Sequence, residues 1–288
     1  MTRPPGSVAV PTAAELAAIA AILHDSAGIV ISPGKASMVQ SRLARRLRLL
    51  GLPDFASYIA LVRSDAGLEE RRNMISALTT NVTHFFREQH HFDMLRQSVL
   101  PPLLARARAG ERVRIWSAGC SSGQEAYSIA MVIAGMAGDL SQLDLRILAT
   151  DIDPNMIAQG HLAIYDPGLL ADLPIPLRRR FFEPVPQGER VVGSLRRLVS
   201  FRELNLHDRW PMRGQFDVIF CRNVVIYFDA PTQDRLWPRF EQALAPGGWL
   251  FVGHSERVPP HPDSMLKNAG ITTYRLDSTS PNGGCRWH

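Results

Sequence analysis

The residues best placed to do chemistry lie in the run RIWSAGCSSGQEAYSIA, 114–130. An apolar stretch enters a loop of small residues, 117–123, which leads straight into a helical pattern with Glu125 at its start. Small residues let the backbone come close to a ligand at a helix N-terminus. The next apolar run ends in ATDID, 149–153. An acid at the carboxyl end of a second strand is positioned to accept hydrogen bonds from two ribose hydroxyls. Taken singly, each feature also reads as a glycine turn or a solvated acidic loop; together they describe a nucleoside crevice. A dinucleotide fingerprint would be G-x-G-x-x-G with an acid about 20 residues later. Gly119 and Gly123 lack that spacing, and Asp151 comes too late. A P-loop needs a Lys after its second Gly, and none follows Gly123. S-adenosyl-L-methionine is the natural candidate, because it has ribose and adenine but no phosphate and so requires the acidic contact without the anion cradle.

Other reactive side chains read as structural. His90 and His91 have no carboxylate or Cys at ligand spacing, so no metal is expected. Cys120, Cys221 and Cys285 are too scattered for a disulfide framework or a zinc site, and the first two read as packing. His254 follows a strand-like run, placed either to cap the sheet edge or to touch the site. Residues 35–50 hold five basic side chains and no acid. Arg42, Arg45 and Arg46 share one helix face by i, i+3, i+4 spacing, with Leu43, Leu47 and Leu50 on the opposite stripe. On an isolated helix this is a solvated face; beside an acidic partner it is a docking surface.

These residues must be held by elements that the rest of the chain supplies. The 288 residues suffice for two domains, and 45% apolar with 20% charged residues excludes a disordered chain. A net charge of +5 suits an acidic partner: nucleic acid, an anionic membrane or an acidic protein. The longest uncharged stretch near the middle, 126–138, falls short of the roughly 20 apolar residues that span a bilayer. The N-terminus has no apolar core of a secretion signal, so membrane insertion and export are not expected and the cytoplasm is the expected compartment. Residues 1–11 and 280–288 read as disordered tails. Residues 12–78 read as a small all-α domain, opened by a Thr12–Glu15 capping box, with further helices over 37–50, from Asp54, and over 68–78. A connector, 79–97, follows. From 98 to 279, strand-like runs at 113–117, 145–150, 198–202, 216–221 and 249–253 alternate with helical patterns, notably 125–136 and 231–244. That alternation predicts a mostly parallel sheet covered by helices. Pro238 predicts a bend or a displaced helix boundary. The proline-rich segment 165–199 reads as an insertion whose VVGSLRRLVSF forms a hairpin.

Six motifs in order carry a family resemblance: TTNVTHFFRE (79–88), IWSAGCSSGQEAYSIA (115–130), ATDID (149–153), NL (205–206), FDVIFCRNVVIYF (216–228) and GGWLFVGHSE (247–256). Through them the chain resembles the CheR family of chemotaxis protein-glutamate O-methyltransferases over 12–275. The resemblance implies an α/β fold: a Rossmann-like class I methyltransferase sheet domain with a small inserted β-subdomain, preceded by a small all-α N-terminal domain. It implies S-adenosyl-L-methionine as cofactor, S-adenosyl-L-homocysteine as product and no metal. The substrate implied is glutamate on the cytoplasmic helices of methyl-accepting chemoreceptors.

Residue by residue, the resemblance makes Asn81, Thr83 and Arg87 cofactor contacts, with Arg87 also bordering the methyl group. It gives Glu125 the methionyl ammonium, Asp151 the ribose, Asn205 and Leu206 the adenine, and Arg222 with Asn223 the end of the fourth strand. Tyr227 stands beside the reaction centre, so Arg87 and Tyr227 are the catalytic candidates. Arg42, Arg45 and Arg46 become the docking face for an acidic receptor helix. A monomer with no nucleic-acid partner is expected. An adenine N-methylating enzyme would carry Asn-Pro-Pro-aromatic where this chain reads Arg222-Asn223-Val224-Val225, and Cys221 lacks the neighbouring Pro of a cytosine-methylating nucleophile. Intact Arg87, Asp151 and Tyr227 argue against a non-catalytic adaptor. The short hairpin of the insertion favours a form that uses no receptor-tail tether.

Overall fold

The computed structural model describes residues 10–278; the expected tails, apart from Val10 and Pro11, and Cys285 lie outside the described residues. The chain divides into two compact units, Met1–Thr80 with Tyr227–Thr232, and Asn81–Ile226 with Gln233–His288.

The first unit is built from helices α1 (Ala13–Ala27), α2 (Ala36–Leu49), α3 (Phe55–Arg63) and α4 (Leu68–Leu78). Thr12 and Glu15 form the reciprocal cap of α1: the Glu15 amide donates to Thr12 Oγ1 at 3.3 Å and the Thr12 amide to Glu15 Oε2 at 2.8 Å. Gly28, at φ 70°, ends that helix. Asp54 caps α3 through the Ser57 amide at 2.8 Å. The inner stripe of α2 is Val39, Leu43 and Leu47, while Leu50, expected on that stripe, is 40% exposed.

The other face of α2 is partly spent inside the unit. Glu70 is 7% exposed and accepts from Arg46 through both Nε and Nη2, and from Tyr58 Oη at 2.8 Å. A buried carboxylate requires such donors, and the guanidinium fork supplies two at once. Arg42 reaches the carboxyl end of α4, donating to the carbonyls of Leu78 at 3.0 Å and of Thr79, and to Thr80 Oγ1 at 3.1 Å. It thereby satisfies carbonyls that the helix end leaves open. Of the three arginines expected to dock a partner, Arg42 and Arg46 are thus drawn onto α4, and Arg45 is the exposed one, with Arg48 beside it on the surface. The segment 227–232 joins this unit through a bond from the Val30 amide to the Tyr227 carbonyl at 2.9 Å and through His24 Nε2 with Asp229 Oδ2 at 3.0 Å.

The second unit opens with α5 (Gln89–Met94), which passes through a π turn, Leu95–Val99, into α6 (Leu100–Arg108). There follow β1 (Val113–Ala118), α7 (Gln124–Ala137), β2 (Leu145–Asp151), α8 (Pro154–Leu162), β3 (Ile164–Tyr165), α9 (Ile175–Phe181), β4 (Phe182–Val185), β5 (Gly188–Val191), α10 (Gly193–Arg196), β6 (Val199–Glu203), β7 (Phe216–Cys221), α11 (Ala230–Ala243), β8 (Leu244–Val252), β9 (Leu266–Gly270) and β10 (Thr273–Leu276). Seven strands form one sheet in the order β6-β2-β1-β7-β8-β10-β9. The first five are parallel, and β10 runs antiparallel to both β8 and β9. The chain winds outward from β1 through β2 to β6 and then returns to β7 on the other side of β1. That reversal opens a crevice at the carboxyl ends of β1 and β7, where open α/β sheets bind ligands. The central strand β7 is buried at every position, which is why it reads as a continuous apolar run broken only by Asp217. Asp217 in turn accepts from Arg106 Nη1 at 2.7 Å and the Arg114 amide at 2.8 Å.

Strands β3, β5 and β4 make a separate antiparallel sheet. The hairpin expected over 191–201 forms upstream instead, between β4 and β5, and Gly193–Arg196 is a helical turn. Gly188 decides this: it sits at φ 140°, and a Cβ there would stand 2.4 Å from the Tyr165 carbonyl oxygen. Of the bend or displaced boundary expected at Pro238, the displaced boundary does not occur; α11 carries the proline in its interior. β8 begins at Leu244, ahead of the predicted 249. No helix among the described residues is long and apolar enough to cross a membrane.

Arg46→Ala leaves the buried Glu70 carboxylate without its guanidinium, and the expected loss is about 2–3 kcal/mol in chemical denaturation. Arg45→Ala is expected to stay within about 0.5 kcal/mol of wild type. Equal losses for the two variants would contradict the division of labour on α2.

Candidate active site

The loop leaving β1 is shaped by two glycines that have no room for a side chain. A Cβ on Gly119, at φ 74°, would sit 2.3 Å from Val224 Cγ2, and one on Gly123, at φ 96°, would sit 2.9 Å from Phe201 Cζ. Between them Ser121 donates its amide to Asp151 Oδ2 at 2.7 Å, and the Asp153 amide donates to Asp151 Oδ1 at 3.0 Å. Asp151 is 8% exposed; burial raises its carboxyl to about 6 against the pull of those amides. An ionised carboxylate offers about four lone-pair sites, so two amides leave acceptor capacity for a pair of hydroxyls. Asn81 ties the connector to the same corner: its Nδ2 donates to Asp153 Oδ2 at 2.8 Å, and its carbonyl accepts from Ser121 Oγ at 2.8 Å.

Arg222, with a side chain 2% exposed, is the second centre. Its Nη1 lies 3.1 Å from Glu125 Oε2, its Nη2 lies 3.2 Å from Glu88 Oε2, and Nη2 also donates to the Arg87 carbonyl. Ser117 Oγ donates to the other Glu125 oxygen at 2.6 Å. Burial pushes the Glu125 carboxyl up, opposed by Arg222 and Ser117. At Glu88 burial works in the same direction, but the Arg222 charge and the His254 contacts outweigh it and hold the carboxyl at about 2. His91 is fully buried; desolvation and the nearby Arg222 lower it to about 3, so it is a neutral imidazole at ordinary pH.

The sequence reading passed over Glu88 as a companion of His90 and His91, whereas ligand atoms of these three residues lie within 4.8 Å of one another. Glu88 nevertheless already faces the Arg222 guanidinium and, at 3.1 Å, His254 Nδ1. The N-terminal end of α5 adds positive potential there, which works against a further cation.

Asn81, Glu125, Asp151, Arg222 and Asn223 fall in two clusters: Asn81 meets Asp151 through Ser121 and Asp153, and Glu125 and Asn223 meet Arg222 directly or through Glu88, together with the Arg87 backbone. The Arg87 side chain donates to the Val82 carbonyl at 3.0 Å, and Thr83 is half-buried in the same connector. Asn205 and Leu206 follow β6; Asn205 Oδ1 accepts the His207 amide at 3.0 Å, and the buried Leu206 has its carbonyl bound by Arg239 Nη1 at 2.7 Å. Tyr227 closes the turn Val225–Tyr227 and belongs, like Arg42, Arg45 and Arg46, to the first unit. Besides Glu88, two polar groups of these clusters escaped sequence reasoning. Ser117 gave no signal beyond a small residue at a strand end. Glu256, 3% exposed, stands three residues after Gly253 and returns its carboxylate to the Gly253 amide. Gly253 has no side chain to complete a capping box and no helix follows it, so the G-x-x-E spacing gave no signal of this contact.

The residues at this edge fit an adenosyl ligand: a buried carboxylate with spare lone pairs at the end of β2, and a charged pair at the start of α7. The chain matches the family description "CheR methyltransferase, all-alpha domain" over residues 14–79 and "CheR methyltransferase, SAM binding domain" over residues 81–275. It is 50% identical over 258 residues to "Probable chemotaxis protein methyltransferase" of Rhizobium etli, spanning 88% of this chain and 96% of that one. Identity to chemotaxis protein methyltransferase 2 of Pseudomonas aeruginosa is 41% over 259 residues, 88% of this chain and 89% of the relative. The chemotaxis protein methyltransferase of Escherichia coli is 41% identical over 263 residues, 90% and 89% of the two chains. With both family domains in order and relatives matched over nearly their full lengths, the chain belongs to the CheR methyltransferase family.

Proposed function

We propose that the protein transfers a methyl group from S-adenosyl-L-methionine to glutamate side chains on the cytoplasmic helices of chemoreceptors, forming methyl esters and releasing S-adenosyl-L-homocysteine. It does so in the cytoplasm as a monomer, with no metal and no nucleic-acid partner, residues 12–78 docking the substrate and 98–279 holding the cofactor. The observation that carries this reading is the pairing of buried Asp151 with the Glu125–Arg222 cluster at the switch point of the sheet in a chain of this family.

When bound, the cofactor supplies an electrophilic methyl group on a cationic sulfur. Asp151 accepts the ribose hydroxyls, Glu125 takes the methionyl ammonium, Asn81, Thr83, Arg222 and Asn223 complete the cofactor contacts, and Asn205 with Leu206 borders the adenine. A glutamate side chain has a pKa near 4.3, so the substrate arrives as a nucleophile and no residue has to remove a proton. What the chain must do is exclude water and align the carboxylate. Arg222 cannot compete for that carboxylate, since its guanidinium is already shared between Glu88 and Glu125. A tight ion pair from Arg87 would stabilise the ground state more than the transition state. Arg87 and Tyr227 therefore orient the substrate through partial hydrogen bonds and act neither as acid nor as base.

Incubation of the protein with methyl-labelled cofactor and receptor-containing membranes, followed by mild base, is expected to release volatile labelled methanol. Label that stays in the non-volatile fraction, as from N-methyl groups, would overturn the ester assignment. The docking role, narrowed to the exposed Arg45 with Arg48, predicts that Arg45→Glu combined with Arg48→Glu raises KM for receptor on the order of tenfold while kcat changes little. An unchanged KM would remove α2 from substrate recognition.

Asp151 gives a pH signature. The ribose contact needs the ionised carboxylate, and burial has raised this group to about 6. Cofactor affinity is expected to fall as pH drops from neutrality, by up to roughly tenfold per unit below that value. The sign for folding is opposite: the ligand-free folded state holds this proton more tightly than the unfolded chain, so the group favours folding at low pH and gives that up as pH rises through about 6. Calorimetric titration with S-adenosyl-L-homocysteine at several pH values should show the loss in wild type and a weak, flat profile in Asp151→Asn. A flat wild-type profile would contradict the assignment.

A further inference from the structure

We propose that Glu256 is a positioning residue for methyl transfer, its carboxylate holding the loop 223–226 in the shape the reaction needs; the proposal rests on the methyltransferase reading above. Five backbone amides converge on this one side chain. Oε1 accepts from Val224 and Val225, both at 2.8 Å, and from Ile226 at 3.3 Å; Oε2 accepts from Asn223 at 2.9 Å and from Gly253 at 2.5 Å. Glu256 is 3% exposed, and among the described residues its donors are amides and not cations. Successive amides that point at one anion form a nest, here occupied by the protein's own carboxylate.

The nest explains an otherwise unfavourable stretch of chain. Residues 223 and 224 lie between the end of β7 and the turn Val225–Tyr227, so their amides have no strand partner, and Val225 is 1% exposed. Asn223 holds φ at 60°, in the left-handed region that non-glycine residues seldom adopt. Amides shielded from water and left open are costly, so a single acceptor for the whole series fixes the loop. Gly253 completes the enclosure: a Cβ there would stand 2.5 Å from Asn223 Nδ2 and 2.8 Å from Glu256 Oε2.

What the loop carries gives the anchor its consequence. Asn223 is at its start, and Tyr227 follows its last residue in the chain. The Arg222 side chain has its own partners in Glu88 and Glu125, and the ribose-binding Asp151 is held by Ser121 and Asp153, so neither depends on Glu256. Loss of the anchor therefore falls on the alignment of the reacting groups, and touches cofactor affinity only through Asn223. A displacement of about an ångström at such a position lowers rate by up to about 100-fold.

The test uses Glu256→Gln, which turns an amide donor toward backbone donors, and Glu256→Asp, which keeps the charge on a shorter arm. For Glu256→Gln, kcat on receptor membranes is expected to fall on the order of 10–100-fold. The dissociation constant for S-adenosyl-L-homocysteine should stay within about threefold of wild type. Amide hydrogen exchange should accelerate in 223–226 and remain as in wild type in β1 and β2. Glu256→Asp should recover part of the lost kcat. Wild-type kcat in the Gln variant, or an equal loss of product affinity, would overturn the proposal. Should the Gln variant fail to fold, exchange in the wild-type protein decides: slow amides at 223–226 support the nest, and rapid exchange there overturns it. A wild-type protein that forms no base-labile ester defeats the methyltransferase reading instead, and leaves the exchange result standing.

Discussion

Four carboxylates stand at the carboxyl edge of the parallel sheet with little access to water. Asp151 is 8% and Glu256 3% exposed, and the side chains of Glu88 and Glu125 are each 11% exposed. A buried carboxylate costs several kcal/mol unless donors surround it. Here the donors are the loops themselves. Asp151 draws in the amides of Ser121 and Asp153 and so sets the turn after β1. Glu256 gathers the amides after β7. Glu88 and Glu125 share Arg222, which joins the connector, the start of α7 and the end of β7. The crevice is preformed because these charges have to be satisfied before any ligand arrives, and donors that are fixed in advance need no reorganisation during reaction.

The same arrangement sets the sign of the site. With Glu88 and Glu125 ionised, Arg222 neutralises one of the two, and the trio keeps a net negative charge beside an ionisable Asp151. That balance suits a ligand with a sulfonium and an ammonium, and it leaves no loose guanidinium at Arg222 to capture the substrate carboxylate. Arg222 is thus a tie between the connector, α7 and β7, and in the proposed reaction its engagement keeps it from the substrate carboxylate. The glycines serve the same end by a different route. Gly119 brings the β1 loop against Val224, and Gly253 lets the β8 end close on Asn223, so backbone and carboxylate meet without an intervening side chain.

Much of this was legible in the residues. Thr12 with Glu15, and Asp54 at the start of a helix, are local signals set by near neighbours in the chain, and they fold as read. The strand run at 216–221 was legible because a parallel strand buried on both faces is almost continuously apolar, and that at 145–150 because Leu145, Ile147 and Ala149 recur at every second position. What sequence could not give were contacts closed by tertiary packing. Arg46 finds Glu70 24 positions away, and Arg42 finds the end of α4, because α2 and α4 pack side by side; helical spacing alone shows a basic face and not which of its members are engaged. The hairpin of the insertion moved from 191–201 to β4 and β5 because the close approach of Gly188 to Tyr165 outweighed a glycine at 193. Glu88 and Glu256 were printed within recognised motifs, yet their roles depend on Arg222 and on the amides after β7, which no spacing rule connects to them.

A crystal structure of the protein with S-adenosyl-L-homocysteine tests the central claim most directly. The account predicts both ribose hydroxyls within hydrogen-bond distance of Asp151 and the amino-acid end of the product at Glu125 beside Arg222, with the loop 223–226 still held by Glu256. Product bound elsewhere on the sheet, or ribose hydroxyls bound by groups other than Asp151, would contradict it.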